Sequence, residues 1–421
     1  MTSNVTDGVL TVTSDTQGDR IVVICSPGGE VRINGSDPDT GDAACSAIST
    51  IEVQAGDGND FVSLRQVDPT AFSSLALVSM DAGTGADVVR GSSVADSIEA
   101  GDGNDHIGAS VQGGDTVHGG AGIDDLETTV TGDVQISDTT FTFGAESIEV
   151  ASIERVTMIG GDSAETIDAR EFTGTLRAVA HAGDDQLFGG SGSNVLNAGP
   201  GNDRVIGGPD RDSIITSDGD DVIHSGAGGN EISAGNGDDV IVGGPDRDHV
   251  VAGAGKDEAR TLGGPDAFTD TEGNDRFEGG PGDDTFLVGV NDGGRNTFIG
   301  GEGRDTLQVY TGGLRSLSLS DTLIRADTFT LMISSIDLAY AFNPDAFESL
   351  RIDATAFSGD TKIDGSLDDD VLLGGSGRDE IDGSDGDDEL TGGPGADTLD
   401  GGKGTDSCEG GPGRDRITGC E

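Results

Sequence analysis

The chain has 421 residues, with 79 acidic side chains against 23 Lys and Arg, a formal net charge of -56, and 73 glycines but no tryptophan. Such a polyanion repels phosphate, which excludes nucleic-acid binding as a main activity, and no stretch approaches the roughly 18 apolar residues of a membrane span. A chain this poor in large apolar groups offsets little of its ordering entropy by burial, so it is either a disordered polyanion or one that a cation folds.

In chain order, residues 1–54 read as an N-terminal β cap carrying Cys25 and Cys45. A nine-residue unit, G-G-x-G-x-D-x-U-x with U large and apolar, then begins. Residues 55–127 form a first block, with the sixth position filled by Asp60, Asp87, Asp96, Asp105, Asp115 and Asp124. Residues 128–179 lack the unit. They are rich in β-branched residues (Thr139-Thr140-Phe141-Thr142-Phe143, Ile148-Glu149-Val150) and read as a β spacer.

Residues 180–308 form the long block, in which twelve units keep unbroken register over 180–287. Their sixth positions are Asp185, Asn194, Asp203, Asp212, Asp221, Asn230, Asp239, Asp248, Asp257, Asp266, Asp275 and Asp284; after a three-residue slip Asp305 follows. Residues 309–364 form a second spacer. It duplicates the first, because Asp168-Ala169-Arg170-Glu171-Phe172-Thr173-Gly174 recurs further on as Asp353-Ala354-Thr355-Ala356-Phe357-Ser358-Gly359. Within it lies the one helix candidate, residues 343–350, with Asn343 as N-cap and Pro344 as first helical residue. Residues 365–421 form a C-terminal block with Asp370, Asp379, Asp388, Asp397, Asp406 and Asp415 in the sixth column, closed by a Cys408/Cys420 cap. About 26 units fill a little over half the chain.

The unit has a direct physical reading. G-G-x-G-x-D is a turn that uses backbone angles glycine reaches cheaply, and x-U-x is a short strand with U inward. Two turns and two strands, that is two successive units, make one coil. Sixth-position residues of every second unit therefore stack in a ladder, one along each edge. Stacked turns lie about 4.8 Å apart, and bare carboxylates at that spacing repel. Calcium takes six to eight oxygens at about 2.3–2.6 Å, and two successive turns can sandwich one ion, which makes binding and folding one event.

Gly279-Gly280-Pro281-Gly282-Asp283-Asp284-Thr285-Phe286-Leu287 and Gly392-Gly393-Pro394-Gly395-Ala396-Asp397-Thr398-Leu399-Asp400 resemble the calcium-binding nonapeptide repeats of RTX (hemolysin-type) proteins. The resemblance implies a right-handed parallel β-roll or β-solenoid with calcium ions between stacked turns; together with the two irregular β spacers read above, which it does not cover, the expectation is an all-β fold with almost no helix. It implies the sixth-position aspartates as carboxylate ligands and turn carbonyls as the rest. Family members usually have few cysteines and carry a C-terminal secretion signal beyond the repeats, whereas this chain has four cysteines and ends three residues past its last repeat.

The two edges of the long block differ. The Asp185 edge is acidic throughout, whereas the other carries Asn194 and Asn230, and its turns at 207–212 and 243–248 replace the fourth Gly by Asp and add Arg211 and Arg247. Full calcium occupancy is expected along the Asp185 edge. Weaker sites, some empty or held by Arg–Asp pairs, are expected from Asn194 to Asp248.

Even number and terminal placement favour two disulfides, Cys25–Cys45 and Cys408–Cys420, pinning the open ends of the sheets. Of the histidines, His106, His118, His224 and His249 fall at outward strand positions and His181 in a turn, so solvated surface is expected. No zinc, nucleotide or nucleophile motif is present, and no catalytic residue is expected. No hydrophobic leader precedes Val5, as in a mature fragment with an added initiator Met. The resulting expectation is a secreted calcium-binding solenoid with a structural, surface, matrix or adhesion role, in contact with calcium and cell-surface or matrix polysaccharide. Its rivals are a polysaccharide-acting enzyme with its site on the spacers, where Tyr310 and Tyr340 lie, and a folding and secretion fragment of a larger protein.

Overall fold

The computed structural model describes residues 1–109, 114–270, 272–289, 295–310, 316–320, 322–326, 330–334, 336–342 and 349–421. The helix expected at 343–350 falls almost wholly outside them. The one helical element among the described residues is a single 3-10 turn, Cys45–Ala47. The chain divides into two compact units, Met1–Pro200 with Gly207–Asp210, and Gly201–Ile206 with Arg211–Glu421.

Each unit is a parallel β-solenoid. In the first, Val9–Thr13, Thr50–Gln54, Leu77–Asp81, Asp96–Asp102 and Thr116–Ala121 stack in one parallel sheet. Arg20–Cys25, Phe61–Ser63, Val88–Arg90, His106–Gly108 and Asp125–Thr129 stack in another. In the second unit each strand pairs with the strand two nonamers on wherever the repeat is regular, so Ile223 faces Ile241 and Leu372 faces Leu390. The alternation of a strand sends U inward, and the column is dry: Val62, Val89, Ile107 and Leu126 in the first unit and Ile223, Ile241, Leu372 and Leu399 in the second are at most 1% exposed.

A core one side chain deep from each sheet contributes about 1.5–3 kcal/mol per buried Leu, Ile, Val or Phe. It is thickest where the long block ends. Phe268 stacks on Phe286 at 5.1 Å and Phe277 on Phe298 at 5.4 Å, and the two pairs meet across the core at 5.5–5.6 Å. Offset aromatic pairs of this kind add to plain burial.

Both spacers contain strands, with a reversal that their composition does not announce. In the first, Glu146–Ala151 pairs in parallel with Thr116–Ala121 but antiparallel with Thr140–Phe143, which is antiparallel to Val134–Ser137. Val134–Ser137 then pairs in parallel with Thr166–Glu171, with a register shift between Gln135 and Ser137. The second spacer repeats this: Thr330–Ser334, Leu323–Ala326 and Ser316–Ser320 form the same meander on Arg295–Glu302, and Ser316–Ser320 meets Arg351–Ala356 with a shift between Ser318 and Ser320. The two spacers thus share the same meander and the same interruption of register.

The ends are capped as well. Thr2–Thr6 folds back on Val9–Thr13, and Val31–Ile33 folds back on Arg20–Cys25, both antiparallel. Disulfides join Cys25 to Cys45 and Cys408 to Cys420, each with Cα atoms 5.9 Å apart.

Candidate metal centre

The turns stack backbone on backbone, which explains their glycines. At Gly101 (φ +107°) and Gly237 (φ +141°) a Cβ would run into the carbonyl oxygen of Gly83 and Gly219, one coil earlier. A side chain is excluded there by both conformation and space.

Of the sixth-position aspartates, all but Asp415 are buried, at no more than 3% exposure. They form the expected ladders, with a bonding pattern the sequence does not show. Where the repeat is regular the aspartate backbone N–H donates to Oδ1 of the aspartate one coil later: Asp87 to Asp105 at 2.8 Å, Asp221 to Asp239 at 2.8 Å, Asp266 to Asp284 at 2.9 Å, Asp388 to Asp406 at 2.9 Å. This consumes one oxygen of each carboxylate. The other is left over. Oδ2 of Asp60, Asp87, Asp105, Asp115, Asp124, Asp221, Asp239, Asp257, Asp266, Asp284, Asp305, Asp388, Asp397 and Asp406 is buried and meets no hydrogen-bond donor. A buried anionic oxygen without a partner is costly.

The carboxyls respond to that cost. Burial, opposed by the backbone hydrogen bond, raises Asp87, Asp257 and Asp284 to about 6. It raises Asp115, Asp239, Asp266 and Asp388 to about 7, with neighbouring aspartates adding to the rise.

What surrounds the spare oxygen is suited to a hard cation. In the C-terminal block a Cβ placed on Gly392 would lie 2.6 Å from Asp397 Oδ2 and 2.7 Å from the carbonyl oxygen of Gly410, and one on Gly401 would lie 2.7 Å from Asp406 Oδ2 and 2.5 Å from that of Gly419. Two acceptors aimed at one point need something positive between them. Among the described residues no three carboxylate, imidazole or thiolate groups gather at one place. A cation in such a cradle therefore takes one carboxylate oxygen per turn and completes its shell with backbone carbonyls, a donor set calcium accepts and zinc does not favour.

Several turns satisfy themselves instead. Ser92 donates through N and Oγ to Asp96, and Ser366 does the same to Asp370. Oδ2 of Asp248 and Asp379 accepts from the N–H of Gly244 and Gly375. The amide of Asn230 donates to the carbonyls of Gly226, Ala227 and Gly228 at 3.4, 3.3 and 2.9 Å, and that of Asn194 to those of Gly190 and Gly192. A side-chain NH2 thus sits among the carbonyls of its own turn, where a cation would otherwise be held. Arg211 of this edge lies 3.4 Å from Glu231, a strand carboxylate. Along the Asp185 edge the first position of the turns from Asp185 to Asp257 is Ala180, Ala198, Thr216, Ala234 or Ala252, all buried, so a methyl or hydroxyl narrows these cradles relative to the glycine-lined ones.

A second ladder went unread in the sequence. The fifth-position side chain accepts from the fifth-position N–H one coil later, against the direction of the first ladder: Ala86 N–H to Asn59, Asp238 to Asp220, Lys256 to Asp238, Asp387 to Asp369 and Thr405 to Asp387, at 2.8–3.0 Å. The signal was present as an Asn/Asp excess at position five. His118 lies 2.8 Å from Glu99 and His106 3.2 Å from Asp125 at the surface, whereas His224 departs from the expected solvated position, with its Nδ1 buried and burial lowering its pKa.

Away from the turns, a cavity of about 680 Å³ opens on the first spacer, lined by Gln135, Ile136, Ser137, Thr140, Thr142, Asp168, Arg170 and Glu171. Arg170 grips Asp168 through Nε at 2.8 Å and Nη2 at 2.5 Å and lies 4.7 Å over the ring of Phe188. Its hydrogen bonds hold the Asp168 carboxyl below the usual range.

The profile of the RTX calcium-binding nonapeptide repeat (4 copies) matches residues 81–127, 179–312 and 355–417 in overlapping segments, more than half of the chain. No curated protein matches the sequence. The chain belongs to the RTX calcium-binding repeat family.

Proposed function

We propose that this protein is a secreted calcium-binding β-solenoid that folds as calcium binds and serves a structural or adhesive role at a cell surface or in an extracellular matrix. The observation that carries the reading is the row of buried carboxylate oxygens without hydrogen-bond donors, converging with turn carbonyls. The sixth-position aspartates are its ligands. The glycine-lined cradles of the C-terminal block, those of Asp388, Asp397 and Asp406, rank as the tightest, and the turns of Asp96, Asp370, Asn194 and Asn230, which satisfy themselves, as the weakest. Two disulfides suit an oxidising compartment outside the cytosol, where calcium is also plentiful. Far-ultraviolet circular dichroism during calcium titration and chelation is the test. A β signal that appears with calcium and vanishes with chelator is expected, and one indifferent to chelator would sink the coupled-folding reading.

Contact with a polysaccharide is favoured by the spacer groove, whose hydroxyl, amide, carboxylate and guanidinium groups suit sugar hydroxyls. Asp168, held ionised by Arg170, fits binding better than the proton donation that glycoside cleavage requires. Loss of glycan retention on an Arg170→Ala column, with no cleavage by either protein, is the expected result.

A further inference from the structure

We propose that each spacer completes one additional divalent-cation site by adding residues outside the nonapeptide repeat to the last repeat aspartate before it: Ser152 and Glu154 to Asp124 in the first, Asp337 to Asp305 in the second. The inference rests on the calcium reading of the repeats and extends it to positions that no repeat pattern marks.

The sixth-position ladder does not stop where the first repeat block stops. Asp105 N–H donates to Asp124 Oδ1 at 2.9 Å, a normal rung. Asp124 N–H then donates to Glu154 Oε2 at 2.9 Å, well beyond the block, and Glu154 N–H returns to the Asp124 carbonyl at 3.2 Å. Glu154 therefore stands where the next sixth-position aspartate would. The second unit has the same step. Asp284 N–H donates to Asp305 Oδ1, Asp305 N–H to Asp337 Oδ2 at 3.0 Å, and Asp337 N–H to the Asp305 carbonyl at 3.0 Å. In sequence the two spacers share the triplet: Ser152-Ile153-Glu154 recurs as Ser335-Ile336-Asp337.

Asp124 and Asp305 are both fully buried, and Oδ2 of each has no hydrogen-bond donor. At Asp124 the spare oxygen is aimed into a formed cradle. A Cβ on Gly119 would run into both Asp124 Oδ2 and the carbonyl oxygen of Ser152, the arrangement that Asp397 Oδ2 and the Gly410 carbonyl make about Gly392. Ser152 presents that carbonyl from a left-handed backbone (φ 54°), as a turn glycine would. An oxygen-only set of carboxylate plus carbonyl, open to water on the Glu154 side, suits a hard divalent ion. Such an ion bridges repeat and spacer and fastens the meander to the block before it.

The test uses the full chain. Bound calcium is counted by equilibrium dialysis and atomic emission for the wild type and for a Glu154→Gln, Asp337→Asn double variant. The amide oxygens preserve the acceptors for the Asp124 and Asp305 N–H groups. A count lower by two is expected, with the repeat sites unchanged as internal reference. Terbium emission excited through tyrosine is the second readout. The chain has no tryptophan, and its two tyrosines, Tyr310 and Tyr340, follow closely on Asp305 and Asp337, so Asp337→Asn alone is expected to dim it. Wild-type crystals soaked in terbium, which need no variant, are expected to give an anomalous peak between Asp124 and Ser152. An unchanged count, or no peak there beside peaks at the repeats, would overturn the proposal and leave Glu154 and Asp337 as hydrogen-bond caps. A wild-type chain that binds no calcium would overturn the repeat reading itself.

Discussion

A sixth-position aspartate carries two opposed demands on one carboxylate. Oδ1 accepts a backbone hydrogen bond and favours the ionised form, whereas burial of Oδ2 favours the protonated one, and at Asp239 burial wins, with a value near 7 against 3.8 for a free side chain. Between these two pH values only the folded, calcium-free chain holds the proton. Stability of that form therefore falls as pH rises from about 4 through about 7. Calcium-stripped protein is expected to gain β-structure and raise its melting temperature when taken from pH 8 to pH 5, read by circular dichroism. Calcium-loaded protein runs the other way, because protons compete for the ligand oxygens. The same balance predicts the effect of Asp239→Asn. The amide keeps an acceptor for the Asp221 N–H but removes the buried charge. Without calcium the variant is expected to show more residual β signal than wild type at pH 8, and with saturating calcium a lower melting temperature, both read by circular dichroism.

Strands, turns and ladders differ in how far the chain announces them. The eighth column of apolar residues and the sixth column of aspartates gave strand positions, coil length and the two edges, because a strict nine-residue period leaves one way to bury U. Residues such as Ser92 and Asn230 were readable as departures, yet their bonding into the turn depends on distances that only stacking creates. The spacer meanders were legible as β-branched strands and no further. Nothing in Thr140–Phe143 states that it runs antiparallel, since direction is fixed by which neighbour covers its edge. Turn glycines make a sharper statement. Gly101→Ala is expected to cost about 2–4 kcal/mol, combining a left-handed backbone with a clash on the Gly83 carbonyl. The loss should appear as reduced hydrogen-exchange protection in His106–Gly108 and Thr116–Ala121 before the distant core, and an evenly spread loss would contradict a stack that communicates only between neighbouring coils.

At the scale of the whole chain, a charge of -56 with so little apolar surface predicts self-repulsion in calcium-free buffer. For 421 residues the unfolded radius of gyration is about 75 Å. X-ray scattering is expected to show roughly that value under chelation and a much smaller one with calcium, whereas sodium chloride at equal ionic strength should shrink the chain without producing β-structure. A repetitive chain also has an addressing problem. Within a block, slipping by one whole coil restores the apolar column and most of the turn glycines and aspartate ladder, so these distinguish one coil from the next only weakly, and the looped-out segment costs little entropy. The spacer meander is the exception. Its reversed strands seat Glu146–Ala151 on Thr116–Ala121, and its register-shifted strand Val134–Ser137 mates with Thr166–Glu171, a pairing with an interruption at Gln135/Ser137 that the regular repeats do not reproduce. Placed once in each duplicated half, these irregular stretches act as milestones: they limit a misthreaded coil to the block in which it arises and give a chain of near-identical parts a single correct order.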